Sequence, residues 1–252
     1  SVEVTQGDVL ATGVSEFKAD AGKVKLTLGQ GALDASGQTT VEADRVSVNL
    51  SGVGGLSLQG QSRVSADVGD VTIAVQNGGV RTGGTTQVMA AGQIDARVMQ
   101  GDVSLGDVNN WTAQAGQVSV VMGRGDLGLS GLSTVKAGSD VRVQIEQGQW
   151  RAQGASTLQA GRDVVVQMGQ GSATLTNATT LLAGRDVLLS WERGQLDASG
   201  LTTVKAGGDV QLTMGEGRVQ LRDTSTVQAG RDVSMRMALG MNSTGTTTVQ
   251  AG

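Results

Sequence analysis

The chain has 252 residues, a formal charge of −4 and 38% apolar residues, enough for a core, yet only four aromatic residues and 40 glycines. Pro, Cys, His and Tyr are all absent, which removes the commonest general base and metal ligand, thiolate zinc sites, disulfides and thiol nucleophiles. The acidic balance, with only five lysines, argues against nucleic acid or an anionic membrane as partner, and the composition is that of a repetitive architecture.

Along the chain, copies of one unit begin at Ala21, Ala43, Ala66, Ala91 and Ala115, with apparent lengths between 22 and 25. The copies become regular from residue 115 onward. Ala137-Gly138-Ser139-Asp140-Val141, Ala160-Gly161-Arg162-Asp163-Val164, Ala183-Gly184-Arg185-Asp186-Val187, Ala206-Gly207-Gly208-Asp209-Val210 and Ala229-Gly230-Arg231-Asp232-Val233 follow one another at a spacing of 23. Residues 1–252 therefore read as one repeat region. The chain opens at Ser1, shows no signal peptide, and closes at Ala251-Gly252 on the start of another unit, so it reads as a fragment of something longer.

Inside each unit apolar and polar residues alternate, the period of a strand. Val164, Val166 and Met168 share one face, and the same columns recur as Val187, Leu189, Trp191 and as Val210, Leu212, Met214. A second strand contributes Ala173 and Leu175, then Leu196 and Ala198; a third adds one inward residue, as in Leu158, Leu181 and Val204. Three columns separate the strands. They are Gly125, Gly148, Gly171, Gly194, Gly217 and Gly240; then Gly131, Gly154, Asn177, Gly200, Asp223 and Gly245; then Gly138, Gly161, Gly184, Gly207 and Gly230. Gly, Asn and Asp tolerate the left-handed backbone of a sharp bend, so all three columns are expected to be corners of that kind.

Three strands and three bends make a triangular coil, and stacking the coils about 4.8 Å apart satisfies their backbones and makes one continuous core. The expected fold is all-β: a right-handed parallel β-helix, or β-solenoid, of ten to eleven coils of about 23 residues and about 50 Å. Ser and Thr pairs before the third inward residue, such as Ser133-Thr134 and Thr179-Thr180, are expected to form hydroxyl ladders between coils.

The repeated Ala-Gly-Arg-Asp-Val, together with Thr202-Thr203-Val204-Lys205-Ala206-Gly207, resembles the haemagglutinin-type repeats of filamentous haemagglutinins and contact-dependent inhibition exoproteins, which belong to two-partner secretion. The resemblance implies a secreted bacterial surface filament. It also implies an outer-membrane transporter as partner during export, a receptor on a host or neighbouring cell, and a role in adhesion or toxin delivery. The Asn-Pro motifs of that family's secretion domain are absent, as is any recognisable toxin, so the chain reads as shaft.

Site candidates are few. Arg124-Gly125-Asp126 spells the tripeptide that integrins recognise, but Gly125 belongs to a corner column whose neighbours vary freely, which makes an ordinary bend the simpler reading. The column Asp140, Asp163, Asp186, Asp209, Asp232 would stack like charges, each neighbouring pair repelling by about 0.9 kcal/mol even in water-like dielectric. Backbone amides of each residue's own corner, with Arg162, Arg185 and Arg231 nearby, are expected to offset that; calcium bridging is the alternative. For the remote alternative, a polysaccharide-acting β-helix enzyme, the carboxylate candidates are Asp197 with Glu192 and Arg193, and Asp34 in Leu33-Asp34-Ala35-Ser36-Gly37. Coils of nearly constant length should give flat faces without a substrate groove, so no catalytic residue, cofactor or enzymatic role is expected. Trp150 and Trp191 fall in inward columns, whereas Trp111 falls where later units carry Ser or Thr, which leaves an exposed position open to it. The expected function is the shaft of an adhesin that displays other domains. A self-assembling fibre subunit is the alternative, because neither end carries a polar capping repeat and strand edges invite end-to-end association.

Overall fold

Alternating side chains bury one face of an extended segment and leave the other to water, and the chain follows that pattern throughout, with thirty strands and no helix. The computed structural model describes residues 1–252. Every strand pairs in parallel with its equivalent in the next coil, and the ladder built on the third strand counts 11 coils. Val164, Val187 and Val210 are successive register partners, as are Met168, Trp191 and Met214. The inward residues merge into one core of 63 buried apolar side chains running the length of the rod.

Two of the three glycine columns are left-handed bends. Gly125, Gly148, Gly171, Gly194 and Gly217 have φ between 139° and 150°, and Gly131, Gly154 and Gly200 have φ of 70–75°. In the second column Asp107, Asn177 and Asp223 also take positive φ, at 61°, 62° and 56°. The third column differs from expectation. Gly138, Gly161, Gly184, Gly207 and Gly230 are not left-handed; glycine is needed there because a Cβ would stand 2.0–2.3 Å from a carbonyl oxygen of the coil before.

The three-strand coil also needs one refinement. In the coils over Val164–Leu175, Val187–Ala198 and Val210–Leu221 the first and second strands join into single strands of 12 residues that keep their pairing around the bend.

The alanine that opens each unit is part of the core. Ala137, Ala160, Ala183, Ala206 and Ala229 are buried at the end of the third strand. This corrects the phase of the weak copies: the partners of Ala66 and Ala137 are Ala90 and Ala113, not Ala91 and Ala115, and Lys18↔Glu42 puts Ala19, not Ala21, opposite Ala43. Counted at the third strand the coils run to 23 or 24 residues, with 22 in the last, whereas at the first strand the spacing varies from 22 between Leu26 and Val48 to 25 between Val46 and Val71. The same register moves Trp111 inside. It pairs with Val88 and Val135 and is fully buried, so it is not exposed. All three indole N–H groups (Trp111, Trp150, Trp191) are buried without an acceptor, so these rings serve the core by volume alone.

The hydroxyl pairs do not form ladders with one another. The first member of each is buried and bonds backbone. Ser133, Ser156, Thr179, Thr202 and Ser225 each donate to the carbonyl three residues earlier, at 2.6–3.0 Å. These bonds hold the bend beside the left-handed residue.

Candidate functional site

The aspartate column is a ladder whose amide bonds run from coil to coil, not within each residue's own corner as expected. The first four carboxylates each accept the backbone N–H of the equivalent aspartate in the next coil. Asp163 N–H reaches Asp140 at 3.3 Å, Asp186 reaches Asp163 at 3.2 Å, Asp209 reaches Asp186 at 2.8 Å and Asp232 reaches Asp209 at 3.3 Å.

Arginines neutralise the stack from outside. Arg162 grips Asp140 through Nε and Nη2 at 3.2 and 2.8 Å, and Arg185 grips Asp163 in the same forked way. Gly208 supplies no arginine in its coil, and Arg231 covers the gap, reaching Asp209 at 3.1 Å and Asp186 at 3.4 Å. The Arg185 hydrogen bond, helped by the Asp186 amide and opposed by burial, holds the Asp163 carboxyl below its ordinary 3.8. Amides and guanidinium groups thus offset the like-charge repulsion among Asp140, Asp163, Asp186 and Asp209. No group of three or more His, Cys, Asp or Glu is placed to hold a metal.

A second ladder stands at the bend between the first and second strands. Asp8 accepts the amide of Ala32 at 2.7 Å, Asp102 that of Asp126 at 2.8 Å, and Asp126 that of Gln149 at 2.8 Å. Sequence reading missed it because alignment on the opening alanine obscures the shorter signal Gly-Asp at Gly7-Asp8, Gly101-Asp102 and Gly125-Asp126. This ladder contains the integrin-type tripeptide. Arg124 is exposed, but the other oxygen of Asp126 takes Arg151 Nη1 at 2.8 Å, so both carboxylate oxygens are engaged within the protein.

The carboxylates singled out for chemistry do not converge. Arg193 pairs with Glu216 at 3.2 Å, Asp197 pairs with Arg222 at 3.5 Å, and Glu192 is exposed. Asp34 lies far along the rod from them, in a different setting. The faces are not uniformly flat: Asp34 lines a cleft of about 440 Å³ with Ala32, Gly55, Ser57, Gly79, Arg81, Gln100, Asp102 and Ser104. The cleft lies where Ala32, Gly55 and Gly79 interrupt the second ladder between Asp8 and Asp102, leaving no side chain beyond Cβ at those corners.

Fold and corner chemistry together define a parallel β-solenoid of stacked, in-register coils tied at two edges by carboxylate ladders. Compared with protein-family models, curated proteins and solved structures, the chain matches none.

Proposed function

We propose that this chain is the shaft of a secreted, surface-associated bacterial filament of the haemagglutinin-repeat kind, non-catalytic, holding adhesive or effector domains away from the cell. The observation that carries the reading is the repeated register: 11 coils repeat the same three ladders around one core, with a single shift where Val75 pairs with Leu50 but Asn77 with Val53. Such a body transmits position rather than chemistry. Its length follows coil number, and each coil needs only its neighbours to be stable. The outward faces favour an aqueous exterior, with polar columns such as Gln144, Gln167, Ser190 and Thr213 alternating with the core. A chain without cysteine also suits export in an extended state through an outer-membrane transporter, with a receptor on a host or neighbouring cell as the target of the displayed domains.

The test is antibody labelling of intact cells that express the natural reading frame containing this segment, with antibody raised against the folded rod. Labelling of intact cells, and loss of cell-to-cell or host-cell attachment when the reading frame is deleted, is the expected result. Labelling only after permeabilisation would remove the proposal.

A further inference from the structure

We propose that the cleft at residues 32–104 binds a hydroxylated carboxylate of the uronic acid class, the ligand's carboxylate taking the place of the aspartate the corner lacks. The inference rests on corner geometry and is independent of the shaft reading.

The molecule supplies its own template three coils further on. There the Asp126 carboxylate is held by two donors, the amide of Gln149 and the guanidinium of Arg151, each at 2.8 Å. Strand register makes Gly79 the equivalent of Gln149, Arg81 the equivalent of Arg151, and Gly55 the equivalent of Asp126. The donors are therefore present at Gly79 and Arg81, and the acceptor is missing.

The same omission recurs in both directions. Ala32 offers no acceptor to the Gly55 amide, and Gly79 offers none to the Asp102 amide. These three amides, at Gly55, Gly79 and Asp102, have no acceptor within the protein, whereas Ala32, Asp126 and Gln149 in the same column each have a carboxylate. Arg81 is exposed and forms no ion pair, unlike Arg151. The protein cannot readily fill the gap itself. A Cβ on Gly55 or Gly79 would stand 2.8 or 2.6 Å from a carbonyl oxygen of the following coil.

A row of amides one coil apart beside a free guanidinium is a set of donors for carboxylate oxygens. The rest of the lining narrows the class. Asp34 and Asp102 place negative charge at the rim, which disfavours a bare anion but accepts hydrogen bonds from hydroxyls. Ser57, Ser104 and Gln100 both donate and accept. A ligand carrying one carboxylate and several hydroxyls, repeated along an extended chain, matches both sets.

The experiment is a titration of the isotopically labelled 252-residue chain with trigalacturonate, at a concentration where sedimentation shows it monomeric, following the backbone amide resonances. Galactotriose and acetate serve as parallel arms. Saturable shifts confined to Gly55, Gly79, Asp102 and their neighbours are expected with trigalacturonate. Arg81→Gln is expected to weaken binding about tenfold or more, the share of one charge-assisted hydrogen bond. Ala32→Asp, which returns a carboxylate to the corner and occupies the Gly55 amide, is expected to weaken it independently. Equal shifts with galactotriose would show that the carboxylate is irrelevant, and equal shifts with acetate that any anion suffices. Either result overturns the assignment, as do unchanged amides or equal affinity in both variants.

Discussion

Glycine does three different jobs in this chain, and substitutions separate them. At Gly148 φ is 150° and a Cβ would lie 1.8 Å from the Gly125 carbonyl oxygen; at Gly154 φ is 75°, a Cβ would lie 2.6 Å from the Gly131 carbonyl oxygen, and the equivalent position one coil later is already asparagine, Asn177. Gly154→Asn is therefore expected to cost the lesser amount, about 1–2 kcal/mol. Gly148→Asn should cost several times more, because backbone strain of about 1–3 kcal/mol adds to a main-chain clash. Urea midpoints of the two variants check this. The distinction was half legible. The columns of Gly, Asn and Asp announced bends, and two of them are. The third glycine column looks the same on paper, but its cause is the approach of another coil's carbonyl, which no local pattern records.

Charge at the corners sets the acid limit of stability. Because Asp163 is held below its ordinary value by Arg185, its contribution is complete at pH values above the unfolded carboxyl's range, about 3.9, and is lost as pH falls through the lower folded value. The melting temperature is expected to be level between about pH 7 and 5 and to drop below about pH 4. Asp163→Asn should be less stable at neutral pH and should show a smaller drop on acidification. An acid profile identical to that of the unmodified chain would mean that the ladder carries no titration-linked stability.

At the scale of the strand and coil, the period of alternation gave the inward columns directly, and Val164, Val187 and Val210 stack as their spacing requires. What misled was phase. Taking the first alanine of Ala-Gly as the start of a unit placed Ala91 and Ala115 in the column that belongs to Ala90 and Ala113, and with it misplaced Trp111. The bends from Ala66 to Val71 and from Ala113 to Val118 carry one extra residue, and the bend from Ala90 to Ile94 is of regular length with its Ala-Gly shifted by one position, so counting from the Ala-Gly of the bend carries the error into the strand. The cleft was not legible for a related reason. It is made by side chains that are absent at Ala32, Gly55 and Gly79, and it becomes visible only when their coils are stacked.

Because each coil contacts only its neighbours, whole coils should be removable. Excising residues 160–182 joins Gln159 to Ala183, which replaces Ala160 in the same column. The shortened chain is expected to keep its β circular dichroism and to unfold in a single transition of slightly lower midpoint. Removal of residues 160–171 alone puts inward residues outward and is expected to abolish the transition. Circular dichroism against urea distinguishes the two deletions.

For the whole molecule, parallel stacking leaves one free edge at each end, along Val2–Gln6 and along Val233–Met237. In the last coil the inward residues Met241 and Val249 are 44% and 47% exposed, and Val233, Met235 and Met237 are only half-buried. Two unlike edges of one strand type form a head-to-tail contact that does not close on itself. The isolated 252-residue chain is thus expected to form rods whose length grows with concentration in sedimentation velocity, and a monomer at every concentration would show that the edges are protected.

The central claim is that equivalent residues lie one coil apart along a straight axis. With no native cysteine, spin labels can be placed at Ala74 paired in turn with Gln144, Ser190 and Thr213, all outward positions of one ladder. These pairs are three, five and six coils apart. Their distances are expected to rise in step with coil number, at about 14, 24 and 29 Å. Distances that fail to grow in proportion to the coils between the labels would contradict the account.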